Sequence, residues 1–435
     1  MTRHPREGGR KHPLAPIDRR TFIKRTGLAA ASVPLVSAFL AACPRPEGST
    51  KPTAAPARPE SPQRLPSYDA LMIGDDLKPE AGPLEIYNWE EYINPRVVGM
   101  FEEQYGVKVN VNTFNTMTEA VGALTTSDQT FDVWIADIDV LGKLAAASLL
   151  RPLNHSYIPN LANTWERFQG TMENQPYYDL GAQYSVPYTT YTSGVAWRID
   201  EGGPSEDYVA GLGNGWDLLW DEKWKGKIHY LDDYRETIAA ALLRNGITDI
   251  NTDDAAARAA NLQKAQQSLI EAVERLNVKA DISDYSDLPQ GESLVHHGWS
   301  GDFIAAKWYF PRGTVDKDVI RYWTPTEDGP AGNDTFTILG SGKNPVLAHH
   351  FLNFMLDFDN AMVNFQWNGY IPPQTQLDPE KLVVGSGESY SILLPGLKST
   401  VATEADIEKM TELAPLSPEV DSQWKDVWEF FQTAS

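Results

Sequence analysis

Acidic side chains stand next to aromatic ones at several widely separated points of this 435-residue chain. "EIYNWEEYINP" (85–95) sets Glu90 and Glu91 between Trp89 and Tyr92. Asp137 and Asp139 follow the apolar run "FDVWIA", which contains Trp134. Asp232, Asp233 and Glu236 lie beside Tyr234 in "LDDYRE", and Asp302 closes "HHGWSGD" three residues after Trp299. A carboxylate only accepts hydrogen bonds, and a Trp or Tyr face attracts a cation lying over it. Together they suit a ligand whose ammonium groups are separated by methylenes: acids take the amines, rings pack on the alkyl chain. A buried ammonium must be paired, because an unpaired charge out of water is costly. Any one pair is ordinarily a core ring beside a helix cap. Four of them at the ends of apolar segments favour a shared ligand.

The elements that would position these residues read as α/β. "LEIYNW" is a strand, and Asn94 as cap, Pro95 at the first helical position and Gly106 as stop frame a helix after it. Val98, Phe101 and Tyr105 are expected on its buried face. Val107, Val109 and Val111 then alternate as a second strand, giving a βαβ unit with parallel strands. "FDVWIAD" and "KIHYLD" read as further strands. "RETIAAALLRNG", "DAAARAANLQKAQQSLIEAVERLN" and "PVLAHHFLNFMLD" read as helices. In open sheets of this kind ligands bind outside the carboxyl ends of the strands, where the acid–aromatic pairs fall. No repeat and no internal linker divides the body, so two lobes built from interleaved segments are expected.

Residues 1–42 stand apart. "RRTFIKR" (19–25) and the short apolar stretch up to "LAAC" (40–43) read as a twin-arginine export signal ending in a lipobox, with Cys43 lipidated. The 16 residues from Gly27 to Ala42 are short for a membrane span. Residues 43–82 read as the lipidated cysteine and a tether, with seven prolines within 44–66, and the folded body is expected to begin near Pro83. Cys43 is the sole cysteine, so the body has no disulfide and no thiol nucleophile. Residues 1–42 carry eight Lys/Arg and two Asp/Glu, so their loss takes the net charge from −22 to −28. An exported, membrane-anchored, acidic body disfavours nucleic acid and favours cations.

Hydrolase chemistry finds little support. His296–His297 and His349–His350 are adjacent pairs, which face different ways on a strand or a helix. No H-E-x-x-H, G-x-S-x-G or P-loop spacing occurs. No catalytic residue, metal or cofactor is therefore expected.

From Leu84 onward the chain resembles the spermidine/putrescine-binding lipoproteins and periplasmic proteins of bacterial polyamine ABC importers. "IYNWEEYI", "FDVWIAD", "VPYTTYTSGVAWRID", "LDDYRETIAAALLRNG", "GESLVHHGWSGD", "GNDTFTIL" and "GYIPPQ" are similar, in order, to that family's segments across most of 84–375. The resemblance implies a type II-like periplasmic-binding-protein fold: two α/β lobes, each a mixed sheet flanked by helices, closing on a ligand between them. Its boundaries would be 84–190 plus about 334–370 for one lobe, and about 191–333 plus 371–435 for the other. Trp89 and Trp299 would lie along the alkyl chain, and Tyr92 and Tyr370 would close the cleft. Asp233, Glu236 and Asp334 would take amines, joined by Glu91 and Asp302. The implied role is capture of a polyamine outside the cytoplasm for membrane permease subunits. Alternatives are another cationic or small organic solute in the same fold, a sensor partner, or an exported hydrolase. Three departures stand out. Glu90 stands where the family commonly has Ser or Thr. Asp137, and nearby Asp139, bring acid where the family has Ser or Thr at the Asp137 position, and Gly332 stands where an aromatic usually flanks the ligand. More charge and one fewer ring are expected.

Overall fold

The computed structural model describes Leu65, residues 68–126, 129–169, Asp179, and residues 181–311, 317–384 and 392–434. The twin-arginine segment, Cys43 and the tether up to residue 64 lie outside these described residues.

The described strands form one mixed sheet in the order β2-β1-β3-β9-β4-β7-β5-β6, with β10 beside β9 and β8 beside β4. The strands are β1 Leu84–Trp89, β2 Val109–Phe114, β3 Val133–Asp137, β4 Ser185–Arg198, β5 Ile228–Leu231, β6 Lys279–Asp281, β7 Val295–Trp299, β8 Ile320–Trp323, β9 Pro330–Ile338 and β10 Thr411–Glu412. β1 pairs in parallel with β2 and β3, and β5 in parallel with β6 and β7. Between these parallel groups run β9 and the 14-residue β4, antiparallel to each other and to β3 and β7 on either side, while β10 joins β9 in parallel. β4 pairs with β9 from Ser185 to Thr192 and with β7 from Ser193 to Trp197. One strand therefore carries the chain from one lobe into the other.

Each lobe has its own core. Leu84, Ile86, Val97, Phe101, Ile135, Phe336 and Phe351 belong to the first. Trp216, Ile228, Tyr230, Ile238, Leu269 and, from the C-terminal helix Pro418–Ala434, Trp424 and Phe431 belong to the second. Burying one such Phe or Leu side chain stabilises the fold by about 1.5–3 kcal/mol.

The first βαβ unit forms as its sequence predicts, with two corrections. Asn94 caps the helix Pro95–Tyr105 by accepting from the Arg96 amide, and Gly106 ends it in the left-handed conformation at φ 67°. The buried face is Val97 and Phe101, while Val98 and Tyr105 are only partly covered. β2 does not bury its alternate valines: Val111 is exposed, because β2 is the sheet edge and only one side of it is packed.

The chain joins the body earlier than Pro83. The Tyr68 hydroxyl donates to the Ala146 carbonyl at 2.9 Å, and the Leu77 amide donates to the Tyr157 hydroxyl at 2.7 Å. Glu80 accepts from the Leu347 amide at 2.8 Å, serving the first turn of the helix Pro345–Met355. Proline content carries no signal of these seats, because they depend on partners distant in sequence.

Candidate functional site

The turn after β1 places the first group. Glu91 adopts φ 56°, an uncommon conformation for a non-glycine residue. Its Oε2 accepts from the Tyr309 hydroxyl at 2.6 Å, a contact 218 residues away in sequence. Glu90 is exposed, so the two adjacent glutamates part company. Tyr92 is buried; its hydroxyl lies 2.5 Å from both Asp334 Oδ2 and Thr189 Oγ1. The Tyr92 carbonyl accepts from the Tyr188 hydroxyl and, at 3.2 Å, from the Asn368 side-chain amide, which fixes the residue at both ends. Burial, then the neighbouring Asp334 charge, drive the Tyr92 hydroxyl far above its ordinary pKa, so it stays a donor.

Asp137 ends β3 and sits directly opposite Asp334 of β9 in the antiparallel register. Their carboxyl groups share a hydrogen bond. Two carboxyl groups can do so only while one holds a proton. Burial raises Asp334 above the usual carboxylate range, against the downward pull of its hydrogen bonds with Tyr92, Asp137 and Thr189. The acidic departure at Asp137 thus pairs with Asp334, one of the acids expected to take an amine. The side chain of Asp139 lies outside the described residues.

The second lobe supplies Glu236 and Trp299. Asp233 caps the helix Tyr234–Arg244, its Oδ1 accepting from the Arg235 and Glu236 amides at 2.9 and 3.0 Å. That cap fixes Glu236 in the first helical turn, 4 % exposed. The Trp299 indole donates to Glu236 Oε1 at 3.1 Å. Oε2 is buried and meets no partner of good geometry, although the Ser193 hydroxyl is nearby. Burial, reinforced by the Asp233 charge, pushes Glu236 up from 4.5 to about 7. Asp302, in the first turn after Trp299, accepts from the Tyr370 hydroxyl at 3.0 Å.

Rings connect the two sets. Tyr92 packs against Tyr370 at 5.0 Å between ring centres, Tyr370 against Tyr191 at 6.2 Å, and Tyr191 against Trp299 at 6.2 Å, all near edge-to-face. Tyr191 escaped the sequence reading. It lies opposite Gly332 in the β4–β9 register. A Cβ on Gly332 would meet the Tyr191 hydroxyl oxygen at 2.5 Å and its ring carbon at 2.6 Å. The aromatic is supplied by the facing strand, and the glycine makes room for it. Asp334, Glu236, Asp137 and Asp233 all act on the Tyr191 hydroxyl, which together with burial raises its pKa far above normal.

Trp89 is partly exposed at the end of β1, and its ring packs on Phe114 of β2 at 4.6 Å. Asp232 is exposed and accepts from Gln432 at 3.1 Å. Asp284 was also missed. It is wholly buried, its oxygens meet no partner of good geometry, and the backbone amide of Tyr285 offsets this only in part. Burial, then the Asp302 charge, raise it well above the carboxylate range. Its sequence context, "ISDYSDLPQ", reads as a helix start and carries no signal of burial.

A separate cavity of about 990 Å³ lies in the second lobe, lined by Trp197, Trp216, Trp323, Arg321, Lys398 and others. Its lining mixes Arg321 and Lys398 with Glu206, Glu327 and Asp328, and it shares no residue with the acid–aromatic set.

Residues 97–384 match the family model of bacterial extracellular solute-binding proteins. A putrescine/cadaverine-binding protein of Pseudomonas aeruginosa is 26% identical over 361 residues, covering 80% of this chain and 91% of the relative. A spermidine/putrescine-binding periplasmic protein of Escherichia coli is 27% identical over 295 residues, covering 67% and 77%. Among solved structures, a spermidine/putrescine ABC transporter substrate-binding protein from Streptococcus pneumoniae aligns with a TM-score of 0.63. It shares 22% identity over 81% of this chain and 98% of that one, a likeness of fold.

Proposed function

Since the chain belongs to the bacterial extracellular solute-binding protein family, we propose that it captures a polyamine outside the cytoplasm and hands it to the permease subunits of an ABC importer. The observation that carries this reading is the buried, unpaired Oε2 of Glu236 beside the Trp299 indole. It stands across a row of rings from the Asp137–Asp334 pair. One ammonium of the ligand pairs with Glu236, which gives up its own proton to water as it ionises. A second displaces the proton held between Asp137 and Asp334, which also leaves to water. Tyr191, Tyr370 and Trp299 flank the methylenes between, and Asp302 and Asp233 add negative potential.

The Glu91–Tyr309 and Tyr370–Asp302 hydrogen bonds join the two sides and would favour the closed form. Ligand shifts opening and closing only by its differential affinity for the closed state. The export route and anchor, a twin-arginine signal and lipidated Cys43, belong to the same proposal and rest on the leader motifs. Mass spectrometry of the membrane-associated protein should find a lipid on Cys43 as the first residue.

Titration calorimetry with putrescine, spermidine and spermine tests the ligand. At least one should bind with one-to-one stoichiometry, and Trp299→Ala should weaken that binding by about 2 kcal/mol. Equal affinity in the wild type and in both Trp299→Ala and Asp334→Ala would remove this site.

A further inference from the structure

A strand turns successive side chains to opposite faces, and β7 does this with its two histidines. His297 faces the core, 5.6 Å from the Trp216 ring. His296 faces the other way, where β5 runs alongside with His229 opposite it in the parallel register. The two imidazoles lie 5.1 Å apart. Asp281 at the end of β6 and Asp287 in the helix Asp284–Gln290 complete the group.

His229 Nδ1 is 3.1 Å from Asp281 Oδ2 and 3.3 Å from Asp287 Oδ2, and His296 Nε2 is 3.4 Å from Asp281 Oδ1. One donor atom from each of the four residues falls within 4.8 Å of all the others. Metal bonds of about 2.0–2.1 Å in a tetrahedron place neighbouring ligand atoms roughly 3.3–3.4 Å apart, close to the three histidine–aspartate separations.

The hydrogen bonding points the same way. His296 is fully buried, and its Nδ1 lies 2.9 Å from the carbonyl oxygen of His297. A carbonyl only accepts, so Nδ1 carries the proton, and in the neutral ring Nε2 is a bare lone pair. Nε2 has no hydrogen-bond partner of good geometry and is aimed at Asp281 Oδ1, 3.4 Å away. An imidazole oriented through its far nitrogen by a backbone carbonyl is the usual support for a metal ligand.

We propose that His229, Asp281, Asp287 and His296 form a binding site for a divalent transition-metal ion of the zinc class. The set of two imidazole nitrogens and two carboxylate oxygens suits zinc, whereas calcium takes six to eight oxygens. The site replaces the expectation that this chain carries no metal. Lys279 is its competitor: Nζ stands 3.1 Å from both Asp281 Oδ2 and Asp287 Oδ2. Its side chain is 58% exposed, so it can swing into water and yield those oxygens. A bound ion ties three strands to the helix that begins with Asp284, the buried acid beside Asp302. The proposal stands independently of the polyamine reading.

The test uses the full chain stripped with a chelator, then titrated with zinc chloride in a calorimeter, with bound zinc counted by mass spectrometry after dialysis. One zinc per chain and a raised melting temperature are expected. His296→Gln should lower zinc affinity at least tenfold, and Lys279→Ala should raise it by freeing two oxygens. If His296→Gln fails to fold, Asp287→Asn, at the more exposed side of the site, is the variant to measure, with the same direction of effect. No stoichiometric zinc in the wild type overturns the proposal. So does equal zinc affinity in the variant that folds. A Lys279→Ala protein that loses stability without gaining zinc affinity would assign the group to ion pairing with lysine instead.

Discussion

Asp334 and Glu236 are both buried carboxylates of one site, yet the molecule treats them differently. Asp334 is answered from within: Tyr92, Thr189 and Asp137 all hydrogen-bond to it, and the shared proton lowers the charge of the pair. Glu236 has one indole donor and one bare oxygen, and its pKa rises to about 7. The first lobe is prepared in the absence of ligand. The second holds an unpaired acceptor that a cation would complete, so loss of Glu236 should cost more than loss of Asp334.

The largest expected effect is therefore at Glu236. Glu236→Gln should weaken spermidine binding by about 3 kcal/mol, roughly a hundredfold. In the ligand-free protein the sign reverses. The folded pKa is raised from 4.5 to about 7, so between those values the folded state holds a proton that the unfolded state has lost. Stability from this group is full below about 4.5 and declines as pH rises towards 7. Glu236→Gln should flatten that decline in thermal melts recorded from pH 4 to pH 8. A variant with an unchanged pH slope would mean that Glu236 is not the group responsible.

Asp334→Asn should cost less, about 2 kcal/mol of binding, because Asp137 remains to receive the amine. Calorimetry that ranks Asp334→Asn above Glu236→Gln would reverse the comparison and place the dominant amine contact in the first lobe. Next is Gly332→Ala, whose added Cβ collides with the Tyr191 ring. It should lose about 1–2 kcal/mol of stability by chemical denaturation. Tyr191→Ala combined with Gly332→Phe should recover part of the affinity lost in Tyr191→Ala alone, since the ring only changes strands. The smallest effect is expected at the bridge between lobes. Tyr309→Phe removes the hydrogen bond to Glu91 and should cost about 1 kcal/mol of binding with little change in the melting temperature.

The features legible in the sequence were those set by neighbouring residues. The cap, first-turn proline and stop of the helix 95–105 could be read directly, as could Asp233 and Glu236 at the start of theirs. Strand ends marked by an acid beside a ring gave Tyr92, Asp137, Trp299 and Asp302. Trp89 ends its strand, where a side chain can turn either way, and its contact with Phe114 of β2 depends on a segment distant in sequence. The resemblance singled out Glu91 over Glu90, but the left-handed backbone that turns Glu91 towards Tyr309 carried no signal in the sequence.

Residue types and short spacings by themselves determined the α/β class, the acidic character, the export leader as an expectation and the family. Each of these follows from composition or from contacts a few residues long. Only the tertiary structure decided that Asp137 meets Asp334, that Tyr191 fills the space over Gly332, that Asp284 is buried and that His229 faces His296. The reason is register. A one-residue slip between strands turns every side chain to the other face. That alignment is fixed by packing and hydrogen bonds between segments up to two hundred residues apart.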